Sequence, residues 1–397
     1  MDQLFDFHFS LLSKINTSFR RDFMDGIEWD ERLIGIMGAR GVGKTTFLLQ
    51  HITEKYGKSR KCLYVSLDNI SFNRGSLVSL ADDFVKKGGE CLVFDEIHKF
   101  ETWSQELKNI YDQFPELHVI FTGSSVLQLN KGKADLSRRA VQYNLEGLSF
   151  REFLQIETKM KFEKYSLQDL LKNHISISSS ITRKVKPYTY FEHYLRYGFY
   201  PYYLQGKSTY PSKLMSTVAL MIEVDIPYLN QIELKYIHKM KKLLYLLAIS
   251  VPFNPNMVKL AESLELSRNT VFQYMQYLRD ADLINLLHAS GAGYSMLQKP
   301  EKVYLHNSNL MYALSSQQRD TGSMRETFFY NQVSALHEVN ATAKGDFLVD
   351  GKMVFEVGGK GKTAKQIRNV KNAYLAIDGI EHGYDNRIPL WLFGFLY

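Results

Sequence analysis

The stretch Gly38-Ala39-Arg40-Gly41-Val42-Gly43-Lys44-Thr45-Thr46 decides the fold of the N-terminal part of this chain. It matches the phosphate-binding pattern G-x-x-x-x-G-K-[ST] in full, with the apolar run Leu33–Met37 before it and a helical pattern after it. Glycines let backbone N–H groups turn inward around a polyphosphate, and the helix that follows directs its positive end at the same anion. The pattern predicts a nucleotide-binding loop, because a plain glycine-rich turn does not explain the Lys44-Thr45 pair.

The side chains of this loop have predicted roles. We expect all nine residues to surround a bound ATP, with Lys44 reaching the β- and γ-phosphates and Thr45 ligating Mg²⁺.

Two acids, Asp95 and Glu96, follow a second apolar run, Cys91-Leu92-Val93-Phe94. A continuous apolar run is typical of a strand buried on both faces of a parallel sheet, and ligands bind at the carboxyl ends of such strands. We expect Asp95 to hold Mg²⁺ through water and Glu96 to polarise the attacking water. The alternative interpretation is a helix N-cap at a strand–helix junction.

The next predicted strand, Leu117 to Phe121, ends in Thr122-Gly123-Ser124-Ser125. A polar side chain at this tip would lie beside Asp95 and Glu96 and could contact the γ-phosphate or the lytic water. Ser124 is our first candidate and Thr122 the second; a turn without function is the alternative. The arginines that follow, Arg138 and Arg139, suit either a finger on the γ-phosphate, from the same or a neighbouring subunit, or a solvated basic turn.

Composition limits the class of protein. The chain has 397 residues, 45% of them hydrophobic, and a formal net charge of +7, which permits nucleic-acid binding without requiring it. Its two cysteines, Cys62 and Cys91, lie in predicted strands, so no disulfide framework is predicted. The N-terminus is acidic, unlike a signal peptide, and the longest apolar run is too short for a membrane span. We therefore expect a cytoplasmic protein.

The pattern of elements predicts a multidomain α/β protein. Residues 1–155 are expected to form a P-loop ATPase core with a parallel sheet, and residues 156–236 a helical lid or linker with packed tyrosines. We expect a winged helix at 237–315 and a small restriction-endonuclease-like α/β domain at 316–397.

The predicted winged helix has a candidate recognition helix, Arg268 to Asp280, with Ser267 as its N-cap. Its outward side chains are of the kind that contact bases and phosphates: Arg268, Asn269, Gln273, Gln276 and Arg279. Neighbouring acids offset these bases, and a winged helix also serves as a protein–protein spacer. DNA and protein therefore both remain as candidate partners of this region.

The C-terminal region combines clustered acids with a basic run. Glu326, Asp346 and Glu356 follow the spacing of a nuclease metal site, but Gly358 stands where such a site carries a lysine. Lys360 is a candidate substitute for this lysine, although it lies two residues further on. We therefore expect an inactive, nuclease-like domain. The following charges, with no acid among them, are candidates for nucleic-acid contact: Lys360, Lys362, Lys365, Arg368 and Lys371.

The chain resembles P-loop ATPases of the AAA_14 type with a C-terminal DUF4143 region. Besides the P-loop and the Phe94–Lys99 string with Trp103, the resemblance rests on Leu148–Phe153, Tyr194–Gly198 and Phe355–Lys360. It implies an ATPase core, a winged helix and a nuclease-like tail, and it makes Arg139 the matching arginine. The glycine that usually precedes this arginine is Arg138 here.

Together these features predict a Mg²⁺-dependent ATPase of the AAA/STAND group that is coupled to DNA or to a partner protein, and that forms a homo-oligomer if an arginine acts between subunits. The alternatives are a nucleotide-gated interaction switch without nucleic acid and an ATP-controlled, metal-dependent nuclease.

Overall fold

The computed structural model describes residues 1–68, 75–124, 136–230, 232–250, 255–291, 299–314 and 320–397. The chain divides into two compact units, Met1–Gly147 and Leu148–Tyr397. The first boundary falls eight residues before the predicted end of the ATPase core at residue 155.

The first unit is built on a parallel five-stranded sheet in the order β2-β3-β4-β1-β5. The residues of β1 and β3 are buried throughout, as expected for strands covered by helices on both faces. Its strands are β1 (Leu33–Met37), β2 (Cys62–Ser66), β3 (Cys91–Asp95), β4 (His118–Thr122) and β5 (Val141–Asn144). Its helices are α1 (Asp2–Leu12), α2 (Lys44–Lys55), α3 (Leu77–Val85) and α4 (Trp103–Gln113).

The outer strand β2 is covered by α1. Nδ1 of the buried His8, on α1, accepts a hydrogen bond from the backbone N–H of Tyr64 at 3.0 Å. Burial lowers the pKa of His8 to about 4, which keeps the ring neutral and able to accept. The contact satisfies a backbone donor that an edge strand would otherwise leave open.

The second unit begins with helices packed around buried aromatic side chains. Ser149 caps α5 and forms a capping box with Glu152, as the Ser-Phe-Arg-Glu sequence favours. Of the tyrosines that we expected to pack, Tyr194, Tyr197 and Tyr200 are buried, and Tyr188 and Tyr190 are half-buried. The helices of this part are α5 (Phe150–Thr158), α6 (Leu167–Thr182), α7 (Pro187–His193), α8 (Tyr210–Leu220) and α9 (Ile226–Asn230).

Three helices and a two-stranded antiparallel sheet follow, in the order expected of a winged helix. They are α10 (Ile237–Ala248), α11 (Met257–Leu264), α12 (Arg268–Asp280), β6 (Ile284–Leu287) and β7 (Lys302–Leu305). The bounds of α12 are those predicted, and Oγ of Ser267 accepts from the backbone N–H of Thr270 at 3.1 Å, which confirms the cap. Whether this arrangement serves as a winged helix stays a prediction.

The C-terminal elements form a mixed sheet in the order β12-β11-β10-β9-β8. The central strands β10 and β11 are parallel, while β9 runs antiparallel to β10. The elements are α13 (Ser308–Leu314), α14 (Thr321–Ser334), β8 (Val339–Asn340), β9 (Phe347–Val349), β10 (Met353–Gly358), β11 (Ala373–Ile377) and β12 (Arg387–Pro389). The strands predicted around Val349, Phe355 and Leu375 are confirmed.

Candidate functional site

The P-loop joins the end of β1 to the start of α2. Gly38 has φ 151° and Gly43 has φ 98°, and Gly43 is the N-cap of α2. A Cβ at position 38 would lie 2.4 Å from the carbonyl oxygen of Leu145, so this position requires glycine both for its conformation and for its space. The loop therefore has the backbone geometry that the motif predicted.

The side chain of Lys44 lies along the loop itself. Its Nζ donates to the carbonyl oxygens of Gly38 at 2.8 Å and Ala39 at 3.0 Å, and the residue is buried. A buried ammonium group needs hydrogen-bond acceptors, and phosphate oxygens are stronger acceptors than carbonyl groups. The position fits the predicted contact with phosphate.

Asp95, the last residue of β3, accepts hydrogen bonds from three hydroxyl groups. Oδ2 accepts from Oγ1 of Thr45 at 2.6 Å and from the hydroxyl of Tyr64 at 2.6 Å, while Oδ1 accepts from Oγ1 of Thr122. The residue is only 3% exposed. These contacts hold the carboxylate beside the first turn of α2, where the P-loop ends.

The strand order explains how Thr122 reaches this carboxylate. Strand β4 lies between β1, which leads into the P-loop, and β3, which ends in Asp95. Oγ1 of Thr122, at the end of β4, therefore donates to Asp95 and also accepts from the backbone N–H of Glu96 at 2.9 Å. Thr122, our second candidate at this strand tip, contacts both acids.

Glu96 leaves the strand in the left-handed conformation, with φ 55°. Such a conformation is uncommon outside glycine and redirects the side chain at the end of a strand. Its Oε2 lies 3.3 Å from Nε2 of the buried His98 and 4.0 Å from the guanidinium group of Arg40 in the P-loop. The carboxylate of Glu96 thus lies beside the loop, close to Arg40 and His98.

Thr45 and Asp95 offer the kind of donor set that Mg²⁺ takes. Both present oxygen atoms, and Mg²⁺ is usually bound through one or two carboxylates together with substrate phosphates and water. Across the described residues, no three His, Cys, Asp or Glu side chains are grouped to hold a metal ion by themselves. The donor set therefore fits a metal shared with a nucleotide.

Two other predicted residues lie apart from this network. Ser124 is buried, and its Oγ has no hydrogen-bond partner among the described residues. Strand β5 runs parallel to β1, so it begins at the end of the strands that lies away from the P-loop. Arg139 lies just before β5, at that end. Its guanidinium group pairs there with Asp112 at 2.9 and 3.0 Å. Within this unit the structure does not bring Arg139 to the loop.

Tyr64 and His98 have no role predicted from the sequence. His98 stands two residues after Glu96, so its place in the Phe94–Lys99 string could have drawn attention to it. Tyr64 lies inside a strand rather than at its tip, and nothing in the local sequence marks it.

A second cluster of titratable side chains lies in the C-terminal sheet. Glu356 is 0% exposed, and its Oε1 lies 2.6 Å from Nζ of Lys362. Nζ of Lys302 lies 3.4 Å from Glu326 and 3.7 Å from Asp346. Burial raises the pKa values of Glu356 and Glu326, and their lysine partners oppose the rise. Lys362 thus pairs with Glu356, while Glu326 and Asp346 share Lys302.

The structure corrects the assignment of the lysine in this cluster. We considered Lys360 as a substitute for the lysine missing at position 358, but Lys362 is the residue that reaches Glu356. A Cβ at Gly358 would lie 2.7 Å from Cβ, Cγ and Cδ of Lys362. The glycine therefore leaves the space that the stem of Lys362 occupies.

The candidate DNA contacts differ in exposure. Arg268, Asn269 and Gln273 are exposed on α12, and Gln276 is half-buried. Arg279 is half-buried and pairs with Asp280 at 2.7 Å, which commits its guanidinium group. In the basic run Lys362 is committed to Glu356, whereas the other four side chains are exposed: Lys360, Lys365, Arg368 and Lys371.

A family model for an AAA domain, AAA_14, matches residues 30–154. Residues 30–154 are therefore similar in sequence to AAA domains, and we refer to them below as the AAA domain. A second family model, for a domain of unknown function named DUF8612, matches residues 188–321, in place of the DUF4143 region that the resemblance implied. The P-loop, the Asp95-Glu96 pair and β4 all lie within the residues that match the AAA_14 model.

Two uncharacterised proteins of Methanocaldococcus jannaschii are similar to this chain. MJ1637 is 28% identical over 291 residues, which are 70% of this chain and 61% of that protein. MJ1544 is 25% identical over 268 residues, which are 64% of this chain and 56% of that protein. The chain thus spans less than two thirds of the length of these relatives.

Solved structures with some similarity include AMPPCP-bound DnaA from Aquifex aeolicus, with a TM-score of 0.26, 13% identity, and 69% of this chain and 87% of that chain covered. The Aeropyrum pernix ORC1 protein in complex with DNA has a TM-score of 0.31, 13% identity, and 79% of this chain and 92% of that chain covered.

Within the described residues, no helix combines the length and apolar character that crossing a bilayer requires.

Proposed function

We propose that the AAA domain binds ATP together with Mg²⁺ and hydrolyses the bond between the β- and γ-phosphates, releasing ADP and phosphate. The observation that carries this proposal is the network in which Asp95 accepts from Thr45, Thr122 and Tyr64 beside the P-loop. Bound Mg²⁺ would neutralise charge on the β- and γ-phosphate oxygens. Thr45 and Asp95 would hold the metal, and Lys44 would contact the same phosphates.

Glu96 is proposed to orient the attacking water. Its backbone N–H donates to Thr122, and its carboxylate lies close to His98 and Arg40 at the side of the loop. A carboxylate placed next to the γ-phosphate can accept a proton from water as the bond to phosphorus forms. A role for Arg139 on the γ-phosphate is proposed only across a homo-oligomer, since in its own unit it pairs with Asp112.

The test is ATP turnover by the full chain at increasing Mg²⁺, with Lys44→Ala as the inactive comparison. The wild-type protein should release phosphate only when Mg²⁺ is present, and calorimetric titration should show tight ATP binding that Lys44→Ala abolishes. Binding of equal affinity in both proteins would show that the loop does not hold the phosphates.

We propose further that the second unit couples nucleotide state to duplex DNA. The exposed residues Arg268, Asn269 and Gln273, at the N-terminal part of α12, and the four exposed charges of the basic run support this choice. Exposed acids close to α12, Glu262 and Glu265, favour the alternative of a protein-interaction switch. Turnover measured with and without duplex DNA separates the two: stimulation at low salt supports DNA, and no response at any salt supports the switch.

The Lys362–Glu356 pair is the observation that favours a second candidate function, that of an ATP-controlled, metal-dependent nuclease. Lys362 supplies the ammonium group that Gly358 lacks. We nevertheless expect no cleavage, because Glu356 is already paired with Lys362, and Glu326 and Asp346 already lie against Lys302. Incubation of plasmid and linear DNA with Mg²⁺ or Mn²⁺ tests this, and cleavage that disappears in Glu356→Ala would establish the nuclease instead.

A further inference from the structure

Tyr64 is placed to act on the acid that the proposed ATPase uses for its metal. It lies on β2, two residues before Ser66, and Ser66 is in register with Asp95 on β3. Residues two apart on a strand share a face, so Tyr64 points to the same side of the sheet as Asp95. Its position on β2 lies two residues before the position that pairs with Asp95. A tyrosine is long enough to span this diagonal, and its hydroxyl lies 2.6 Å from Oδ2.

The position of Tyr64 is fixed from two directions. The residue is 2% exposed, and its backbone N–H donates to Nδ1 of His8 on α1 at 3.0 Å. Burial and the negative charge of Asp95 raise the pKa of Tyr64, so its hydroxyl remains a neutral donor at physiological pH.

The hydrogen bond bears on metal binding because of the oxygen that accepts it. Oδ2 of Asp95 accepts from both Tyr64 and Thr45, and Thr45 is the residue whose hydroxyl would ligate Mg²⁺. A carboxylate held at both oxygens does not need to be ordered when the metal binds, which lowers the cost of forming the site. Without the tyrosine hydroxyl, Oδ2 would retain Thr45 as its only hydroxyl donor from the described network.

We propose that Tyr64 is a positioning residue for Asp95 and sets the affinity of the nucleotide site for Mg²⁺. This inference rests on the proposed ATPase function and adds to it a residue that touches neither nucleotide nor metal. It assigns to β2 a part in metal binding, although the P-loop motif and the Asp-Glu pair lie on β1 and β3.

The experiment compares Tyr64→Phe with the wild-type full chain. Calorimetric titration with ATP at a series of Mg²⁺ concentrations should give a half-saturating Mg²⁺ concentration about tenfold higher in the variant, the weight of one hydrogen bond to a charged acceptor. ATP binding in EDTA should change less than twofold. Turnover should need about tenfold more Mg²⁺ and approach the wild-type rate when Mg²⁺ saturates.

The matched control is Tyr143→Phe, which removes a hydroxyl from β5 of the same sheet. That hydroxyl accepts from the backbone N–H of Glu28 at 3.0 Å and lies outside the Asp95 network. The control should leave the Mg²⁺ dependence unchanged. In an Asp95→Asn background, Tyr64→Phe should shift the Mg²⁺ dependence of ATP binding less than twofold, because the two residues act as one unit.

The outcomes separate the inference from the function on which it rests. If the wild-type chain neither binds nor hydrolyses ATP, the ATPase proposal fails and takes the inference with it. If the wild type is active and Tyr64→Phe keeps the wild-type Mg²⁺ dependence, only the inference is overturned. A variant that loses its circular-dichroism spectrum, or an equal shift in the Asp95→Asn background, would show a structural role and would also overturn it.

Discussion

Lys362→Met tests whether Lys362 stabilises the fold by pairing with the buried Glu356 or acts only as one of the charges of the exposed basic run. The substitution removes the ammonium group 2.6 Å from Glu356 and keeps a stem that can lie over Gly358. Glu356, with 0% exposure, would then have to stay charged without its partner or take up a proton. Keeping an ordinary glutamate protonated at pH 7 costs on the order of 3–4 kcal/mol, which bounds the loss.

Two features of the structure reduce the expected loss below this bound. The side chain of Lys362 is 31% exposed, so water already screens part of its interaction with the carboxylate. Gln366, with its amide nitrogen facing the acid, donates to both oxygens of Glu356 at 3.1 and 3.2 Å and would remain. We therefore expect a loss of about 1.5–2.5 kcal/mol at pH 7.

The loss should depend on pH in a defined direction. Burial already raises the pKa of Glu356, and removal of Lys362 raises it further. Between the unfolded and folded pKa values the folded state then binds more protons, so the variant loses stability as pH rises and recovers it towards about pH 4–5.

Hydrogen exchange measured by mass spectrometry on peptides of β10 and β11 reports this local stability. At pH 7 exchange corrected for the intrinsic rate should be about 10- to 70-fold faster than in the wild type, and the excess should shrink at pH 5. Lys360→Met, in the same segment but exposed, is the matched control and should change exchange less than twofold. Equal effects of the two substitutions, or an effect of Lys362→Met that does not change with pH, would refute the reasoning.

Three further predictions concern the AAA domain and the basic run. Glu96→Gln should keep ATP binding and lower turnover by roughly 10²–10⁴, and unchanged turnover at saturating ATP would assign the role elsewhere. Burial lowers the pKa values of His8 and His51 to about 4, so the first unit should lose stability as pH falls from about 6.5 towards 4; a flat thermal-unfolding profile would contradict this. Replacing the exposed Lys365, Arg368 and Lys371 by alanine should flatten the slope of log K for duplex DNA against log salt by up to about 2–3. A matched triple alanine change of the exposed Lys161, Lys164 and Lys172 should leave this slope unchanged.

The local sequence was sufficient for the P-loop and for the helices and strands around it. The glycine positions, the Lys44-Thr45 pair and the acids at the end of β3 depend on residues close together in the chain. Short-range backbone geometry determines how these residues are placed. The same holds for α12, whose Ser267 cap and apolar periodicity predicted its bounds. Such features are read from spacing because the residues that form them are neighbours.

Tertiary structure alone decided which distant side chains meet. The order of strands β1, β4 and β3 gave Thr122, rather than Ser124, the contacts with Asp95 and Glu96. The register of β2 with β3 brought Tyr64 to Asp95, 31 residues away. The path of the loop after β10 brought Lys362 rather than Lys360 to Glu356. These contacts depend on strand order, register and loop course, which long-range packing fixes and local spacing does not encode.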